Sequence, residues 1–108
     1  MPNGRVYRYD LLDQKLDLLI DTGPSPNGLM LNEPESLLYV AMTRANAIWR
    51  LPLMSDGTVS KVGIFIQLSG GLGGPDGMER GVNDTIHVAH VGTGVFGPST
   101  VWGYLPIA

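Results

Sequence analysis

Short apolar or alternating runs follow one another along the chain, and clusters of turn-forming residues separate them. Residues 6–10 alternate between apolar and polar side chains, which is typical of a half-buried strand. Residues 37–42 are almost continuously apolar, which indicates a strand buried on both faces. Residues 11–19 could form a helix, but a turn at 13–15 that leads into a strand at 16–21 fits the neighbouring strands better. Further strands are predicted at 29–31, 47–53, 62–68, 85–91 and 100–106.

The strand pattern repeats. The segments 26–28 (Pro-Asn-Gly) and 75–77 (Pro-Asp-Gly) are interpreted as loops, and each precedes a strand-like run and then a strand that carries a tryptophan. Matched positions lie roughly 40 to 50 residues apart, which is the length of a propeller blade with four antiparallel strands. The pattern therefore predicts an all-β fold built from β-propeller blades.

The number of strands amounts to about two blades. We expect residues 1–23 to form the end of one blade, 24–70 a complete blade, and 71–108 a divergent, incomplete blade. A propeller closes only with about four blades or more. The sequence therefore predicts either a piece of a larger propeller or a chain that self-associates to cover its open edges.

Composition narrows the range of partners. The chain has 108 residues, a net charge of −3 and no cysteine, so neither nucleic acid nor an anionic membrane is an expected partner and no disulfide can form. No apolar run reaches the length of a membrane span, and the N-terminal residues lack the apolar stretch of a signal peptide. We expect a cytoplasmic protein.

Asn27 and Asp76 are the main candidates for chemistry. Both immediately precede the first strand of a blade, the strand that lines the central channel of a propeller. An amide oxygen and a carboxylate that converge there would form part of a site for a hard cation such as calcium or magnesium. Both residues are also ordinary turn formers before glycine, so a purely structural role remains open at this point.

Four segments in order resemble the SMP-30/gluconolactonase family: 24–29 (Pro-Ser-Pro-Asn-Gly-Leu), 38–41 (Leu-Tyr-Val-Ala), 47–51 (Ala-Ile-Trp-Arg-Leu) and 74–78 (Gly-Pro-Asp-Gly-Met). The resemblance implies a six-bladed propeller that hydrolyses sugar lactones around one divalent cation. It implies that Asn27 and Asp76 are metal ligands and that Asp76 is also the general base. The Glu ligand and the second Asn of that family have no counterpart in this chain.

Four other residues have weaker claims. Arg44 follows a blade strand and could contact a polar substrate, although a solvated loop arginine is the simpler interpretation. His87 and His90 are three positions apart and therefore lie on opposite faces of a strand, so they cannot share a metal ion; His90 could face the channel mouth and contact substrate. Trp49 is interpreted as an aromatic residue that packs between blades.

These observations lead to one hypothesis with two alternatives. We expect metal-dependent hydrolysis of a small-molecule sugar lactone, with one divalent cation as cofactor; calcium is favoured, and zinc, magnesium and manganese are alternatives. The first alternative is a propeller fragment without catalytic activity that packs against other blades or binds a protein. The second is a related propeller enzyme that hydrolyses other esters or phosphotriesters.

Overall fold

The chain folds into antiparallel β-sheet, as the sequence predicts. The computed structural model describes residues 3–68, 73–82, 85–91 and 100–106, with side chains described for all of these except Val91 and residues 100–106. The strands are β1 (Gly4–Asp10), β2 (Lys15–Gly23), β3 (Pro26–Leu31), β4 (Leu37–Met42), β5 (Ala47–Pro52), β6 (Gly63–Gln67), β7 (Gly74–Gly81), β8 (Thr85–Val91) and β9 (Thr100–Pro106). No helix that could span a membrane occurs within the described ranges.

The strands form three sheets with sequential order. The first sheet pairs β1 with β2, the central sheet has the order β3-β4-β5-β6, and the third sheet has the order β7-β8-β9. Four sequential antiparallel strands make up a propeller blade, so the central sheet is one blade. The turn and strand predicted for residues 13–21 are confirmed, and the helical alternative for that segment is wrong.

Two apolar cores lie between the sheets. The first core joins the first sheet to the central sheet and contains Val6, Leu19, Leu38, Val40, Met42 and Leu51. The second core joins the central sheet to the third and contains Met30, Tyr39, Ile48, Ile86 and Val88. β4 contributes to both cores because successive side chains of a strand point to opposite faces. The interpretation of β4 as a strand buried on both faces is therefore confirmed.

Aromatic residues pack into these interfaces. Trp49 packs against the first core, as predicted. Tyr39 is 1% exposed and meets Phe65 edge-to-face, with 5.1 Å between the ring centroids. Burial raises the pKa of the Tyr39 phenol above its usual value, because the charged phenolate would lose its hydration.

The predicted loops at 26–28 and 75–77 are part of strands, so that prediction is wrong. Pro26 pairs with Met42 and Leu29 pairs with Val40, so residues 27 and 28 lie opposite the single residue Ala41. This is a β-bulge, in which one extra residue bends the strand without ending it. Residues that suit a turn also suit a bulge, which explains why the sequence pattern indicated loops.

The outer face of the first sheet is apolar and exposed. Tyr7 pairs with Leu18, and Tyr9 pairs with Leu16. All four side chains are between 47% and 61% exposed. On the other face, Val6 and Leu19 pack into the first core, whereas Arg8 and Asp17 form an ion pair.

Candidate functional site

The same β-bulge occurs at the start of β3 and of β7, and each bulge carries one of the two candidate ligands. In β7, Pro75 pairs with His90 and Met78 pairs with Val88, so Asp76 and Gly77 lie opposite one residue of β8. In β3, Asn27 and Gly28 hold the equivalent positions. A bulge turns the side chains of its strand away from the regular alternation. Asn27 and Asp76 therefore hold equivalent positions in the two bulges.

The two bulges are in direct contact. The first strands of the central and third sheets, β3 and β7, pack side by side. A Cβ atom on Gly28 would overlap the main-chain carbonyl oxygen of Asp76. The absence of a side chain at Gly28 is what allows this approach. The structure thus brings together the backbones of the two segments that the sequence singled out.

Thr43 connects the two bulges through its hydroxyl group. Thr43 directly follows β4, and its Oγ1 donates a hydrogen bond to the carbonyl oxygen of Pro75 at 2.5 Å. The Nδ2 atom of Asn27 lies 3.5 Å from the same Oγ1. One side chain therefore contacts both the residue before Asp76 and the amide of Asn27.

Neither candidate ligand is fully buried. Asn27 is exposed and Asp76 is half-buried. Within the described part of the chain, the Asp76 carboxylate has no hydrogen bond or ion pair. Carboxylate and amide oxygens are ligands that hard cations such as calcium prefer.

Arg44 lies at the same end of the central sheet as Asn27. Its main-chain nitrogen donates a hydrogen bond to the carbonyl oxygen of Pro24 at 3.2 Å. Its Nη2 atom donates to Oδ1 of Asn3 at 2.6 Å. The side chain is exposed and is directed along the chain segment that leads into β1. A contact between Arg44 and substrate stays a prediction.

His90 is buried at the interface between the central and third sheets. Its side chain is 2% exposed, and its Nε2 lies 2.7 Å from Oδ1 of Asn46. Asn46 Nδ2 donates to the carbonyl oxygen of Leu68 at 3.1 Å, which fixes Oδ1 toward the ring. Nε2 therefore carries the proton in this contact. His87 is exposed, so the expected placement of the two histidines on opposite faces is confirmed. A role for His90 in substrate binding stays a prediction.

Within the described residues, no group of three or more His, Cys, Asp or Glu side chains could hold a metal ion. Asn27 carries an amide and is not one of these four residue types. What the described residues provide is two oxygen-bearing side chains on adjoining strands.

Comparison with known families identifies the chain's relatives. A family model described as SMP-30/Gluconolactonase/LRE-like region matches residues 1–106. The chain belongs to this family. The match covers both bulges and all three sheets of this member of the SMP-30/gluconolactonase/LRE-like family, and it agrees with the resemblance noted in the sequence. A search of curated proteins gave no match.

The donor chemistry of this SMP-30/gluconolactonase/LRE-like chain fits a divalent cation in part. Asp76 supplies a carboxylate whose oxygens have no partner among the described residues, and Asn27 supplies an amide oxygen. Calcium takes about six to eight oxygen ligands. Two residues can therefore fill only part of the coordination sphere, and other ligands must come from water, substrate or further protein groups.

Two residues at the site were not singled out as functional in the sequence. Thr43 was interpreted as part of a polar connection, and Asn46 as a turn residue. Asn46 does lie in a turn, with a positive φ of 50°, but its side chain also joins the central sheet to His90. Thr43 and Asn46 act across sequence separations of 32 and 44 positions, and no local pattern reports such contacts.

Proposed function

We propose that this chain takes part in metal-dependent hydrolysis of a sugar lactone, with Asn27 and Asp76 as two protein ligands of one divalent cation. Family membership over residues 1–106 supports this reaction class. The contact between Gly28 and the main chain of Asp76 is the observation that carries the proposal. That contact brings two oxygen-bearing bulges from separate sheets to one place.

The proposed cation is calcium, with zinc, magnesium and manganese as alternatives. Only oxygen donors are involved, and calcium accepts irregular sets of oxygen ligands more readily than magnesium does. A bound cation of this kind supplies Lewis-acid polarisation of a carbonyl oxygen. Asn27 and Asp76 would hold it through Oδ1 and the carboxylate.

Asp76 is proposed to act as the general base as well. A carboxylate within hydrogen-bond reach of a water molecule can accept its proton as the water oxygen attacks the lactone carbonyl. The bond between the carbonyl carbon and the ring oxygen then breaks. The ring oxygen takes a proton, so that water and lactone give one hydroxy acid.

Arg44 is the proposed contact for substrate hydroxyl groups. Its guanidinium has five N–H donors and no acceptor, which suits a polyhydroxylated sugar. The contact with Asn3 uses part of this capacity and holds the side chain at the end of the sheet where Asn27 lies. A cytoplasmic location, expected from the sequence, completes the proposal.

The proposal can be tested by measuring the hydrolysis of glucono-lactone through the acid that it releases into a weakly buffered indicator solution. We expect calcium-dependent acid release above the spontaneous rate, abolished by chelation and by Asp76→Ala. Asp13→Ala is the matched control, because Asp13 is an exposed aspartate in the β1–β2 turn. Release that is unaffected by chelator or by Asp76→Ala would refute the proposal. A panel of esters and phosphotriesters assayed in parallel identifies the preferred substrate class.

The second candidate function is an assembly or interaction module. The exposed apolar residues on the outer face of the first sheet favour it: Tyr7, Tyr9, Leu16 and Leu18. Contiguous apolar patches of this kind mark surfaces that another protein surface covers. A folded chain that associates through this face and is inert toward lactones would support this candidate over the enzyme.

A further inference from the structure

We propose that Thr43 is a positioning residue that sets the orientation of the Asn27 side-chain amide, so that Nδ2 faces Thr43 and Oδ1 is left for a cation. The assignment of Oδ1 as a ligand rests on the proposed function. The orientation of the amide does not, because it follows from hydrogen bonding among residues of the chain itself.

The main chain of Thr43 is fixed on two sides. Its nitrogen donates to the carbonyl oxygen of Ser25 at 2.9 Å, and its carbonyl oxygen accepts from Asn46 at 3.1 Å. On the other side, a Cβ atom on Gly74 would overlap the Thr43 carbonyl oxygen. The hydroxyl group therefore projects from a backbone that the central and third sheets hold between them.

Hydrogen-bond polarity then determines the direction of the Asn27 amide. A threonine hydroxyl has one proton and two lone pairs, and a main-chain carbonyl can only accept. The 2.5 Å contact with the Pro75 carbonyl oxygen therefore uses the one proton of Thr43. Toward Asn27 the hydroxyl can only accept, so Asn27 must present its nitrogen, which lies 3.5 Å away. Oδ1 is consequently directed away from Thr43.

The same hydroxyl contacts the residue that precedes Asp76. One group thus orients the Asn27 amide and holds the start of the bulge that carries Asp76. Groups that orient metal ligands in this way typically change metal affinity by about 10- to 100-fold when they are removed. The contact to Asn27 is long, so we expect an effect at the lower end of that range.

Two substitutions test the proposal. Thr43→Val keeps the shape and removes the hydroxyl, whereas Thr43→Ser keeps the hydroxyl. Thr58→Val is the matched control, because the Thr58 hydroxyl donates to Asp56 in an exposed turn and contacts neither bulge. Thermal unfolding of each variant shows that it is folded before the measurements below.

The first readout needs no metal. We expect nuclear Overhauser effects between the Asn27 side-chain amide protons and Hβ of residue 43 in the wild type, Thr43→Ser and Thr58→Val, and their loss in Thr43→Val. The second readout is calcium affinity by isothermal titration calorimetry. We expect Thr43→Val to bind about 10-fold more weakly, with affinity close to that of the wild type in Thr43→Ser and Thr58→Val.

The outcomes separate this inference from the proposed function. If calcium binds through Asp76 but Thr43→Val binds equally well, the positioning role is refuted and the metal site stands. If the wild type binds no calcium yet the Overhauser effects vanish in Thr43→Val, the orientation of Asn27 is supported and the proposed function fails. Overhauser effects that persist unchanged in Thr43→Val would overturn the orientation itself.

Discussion

Replacing Gly28 with alanine is predicted to push β3 and β7 apart where the two bulges meet. The added Cβ atom would overlap the carbonyl oxygen of Asp76 and lie 3.0 Å from Cα of Gly77 and 3.1 Å from the carbonyl carbon of Asp76. All three neighbours are main-chain atoms, which cannot rotate away as a flexible side chain would. Gly28 does not have a positive φ, so the effect is one of space and not of backbone conformation.

The magnitude follows from this crowding. Carbon atoms pack best at about 3.5–4.0 Å, so the two carbon contacts alone require the bulges to separate by roughly 0.5–1 Å, and the overlap with the carbonyl oxygen requires more. Adding a methyl group to a well-packed region costs about 1–3 kcal/mol. Because the neighbours are main-chain atoms of another sheet, we expect the upper part of that range. For a chain of this size, each kcal/mol lowers the melting temperature by roughly 4–8 °C.

Gly77 provides the matched control. It holds the same position in the second bulge, but a Cβ atom there would have no heavy atom within 4 Å. Gly77→Ala should change the free energy of unfolding by no more than about 0.5 kcal/mol. Urea unfolding of both variants, followed by circular dichroism, measures the difference. Equal stabilities for Gly28→Ala and Gly77→Ala would refute the claim that the two bulges are in contact.

Three further predictions concern the fold. Met42→Ala should lower the free energy of unfolding by about 2–5 kcal/mol because Met42 is 0% exposed, whereas Leu12→Ala should have little effect because Leu12 is 95% exposed; urea titration measures both, and similar losses would contradict the first core. Tyr7→Lys on the outer face of the first sheet should reduce any self-association seen by sedimentation velocity, and an unchanged distribution of species would show that this face is not the contact. The hydrogen bond from the Thr58 hydroxyl lowers the pKa of Asp56 below the ordinary value of 3.8. The stability that the ionised Asp56 carboxylate contributes to the fold is therefore present above pH 3.8 and is lost as the pH falls through the lowered pKa. Asp56→Asn should therefore flatten the acid side of the stability curve below pH 3.8, and an unchanged slope there would contradict the assignment.

The strands could be predicted from the sequence because their signals are local. The alternation in β1 indicates a half-buried strand through its period of two, and the continuous apolar run of β4 indicates burial on both faces. β4, β8 and β9 have the predicted bounds, and β1, β2, β3, β5 and β6 differ by one to three residues at their ends. No bounds were predicted for β7. The strand pattern recurs at intervals of about one propeller blade, and this recurrence indicated the propeller architecture.

The bulges could not be predicted because the same residues serve turns and bulges. Asn27-Gly28 and Asp76-Gly77 tolerate either conformation. What decides between them is the pairing of Pro26 with Met42 and of Pro75 with His90, which depends on the partner strand. The interpretation as loops therefore failed, even though the equivalence of the two segments was recognised correctly.

The surroundings of the candidate site depend on how the sheets pack. Thr43 reaches Pro75, and Asn46 reaches His90, only because the third sheet lies against the central one. The sequence places His90 at the end of a strand, near the candidate site. Packing of the third sheet against the central sheet then buries the His90 ring against Asn46. The sequence pattern does not report this contact, because it depends on how the sheets pack.

The most direct test of the central claim is a double-mutant cycle in calcium binding with Asn27→Ala, Asp76→Ala and the combined variant. If both side chains hold the same ion, each single substitution weakens binding, and the combined loss differs from the sum of the two by at least about 0.5 kcal/mol. Isothermal titration calorimetry supplies all four affinities. Additive losses, or no binding to the wild type at calcium concentrations on the order of 1 mM, would contradict a shared cation site at the paired bulges.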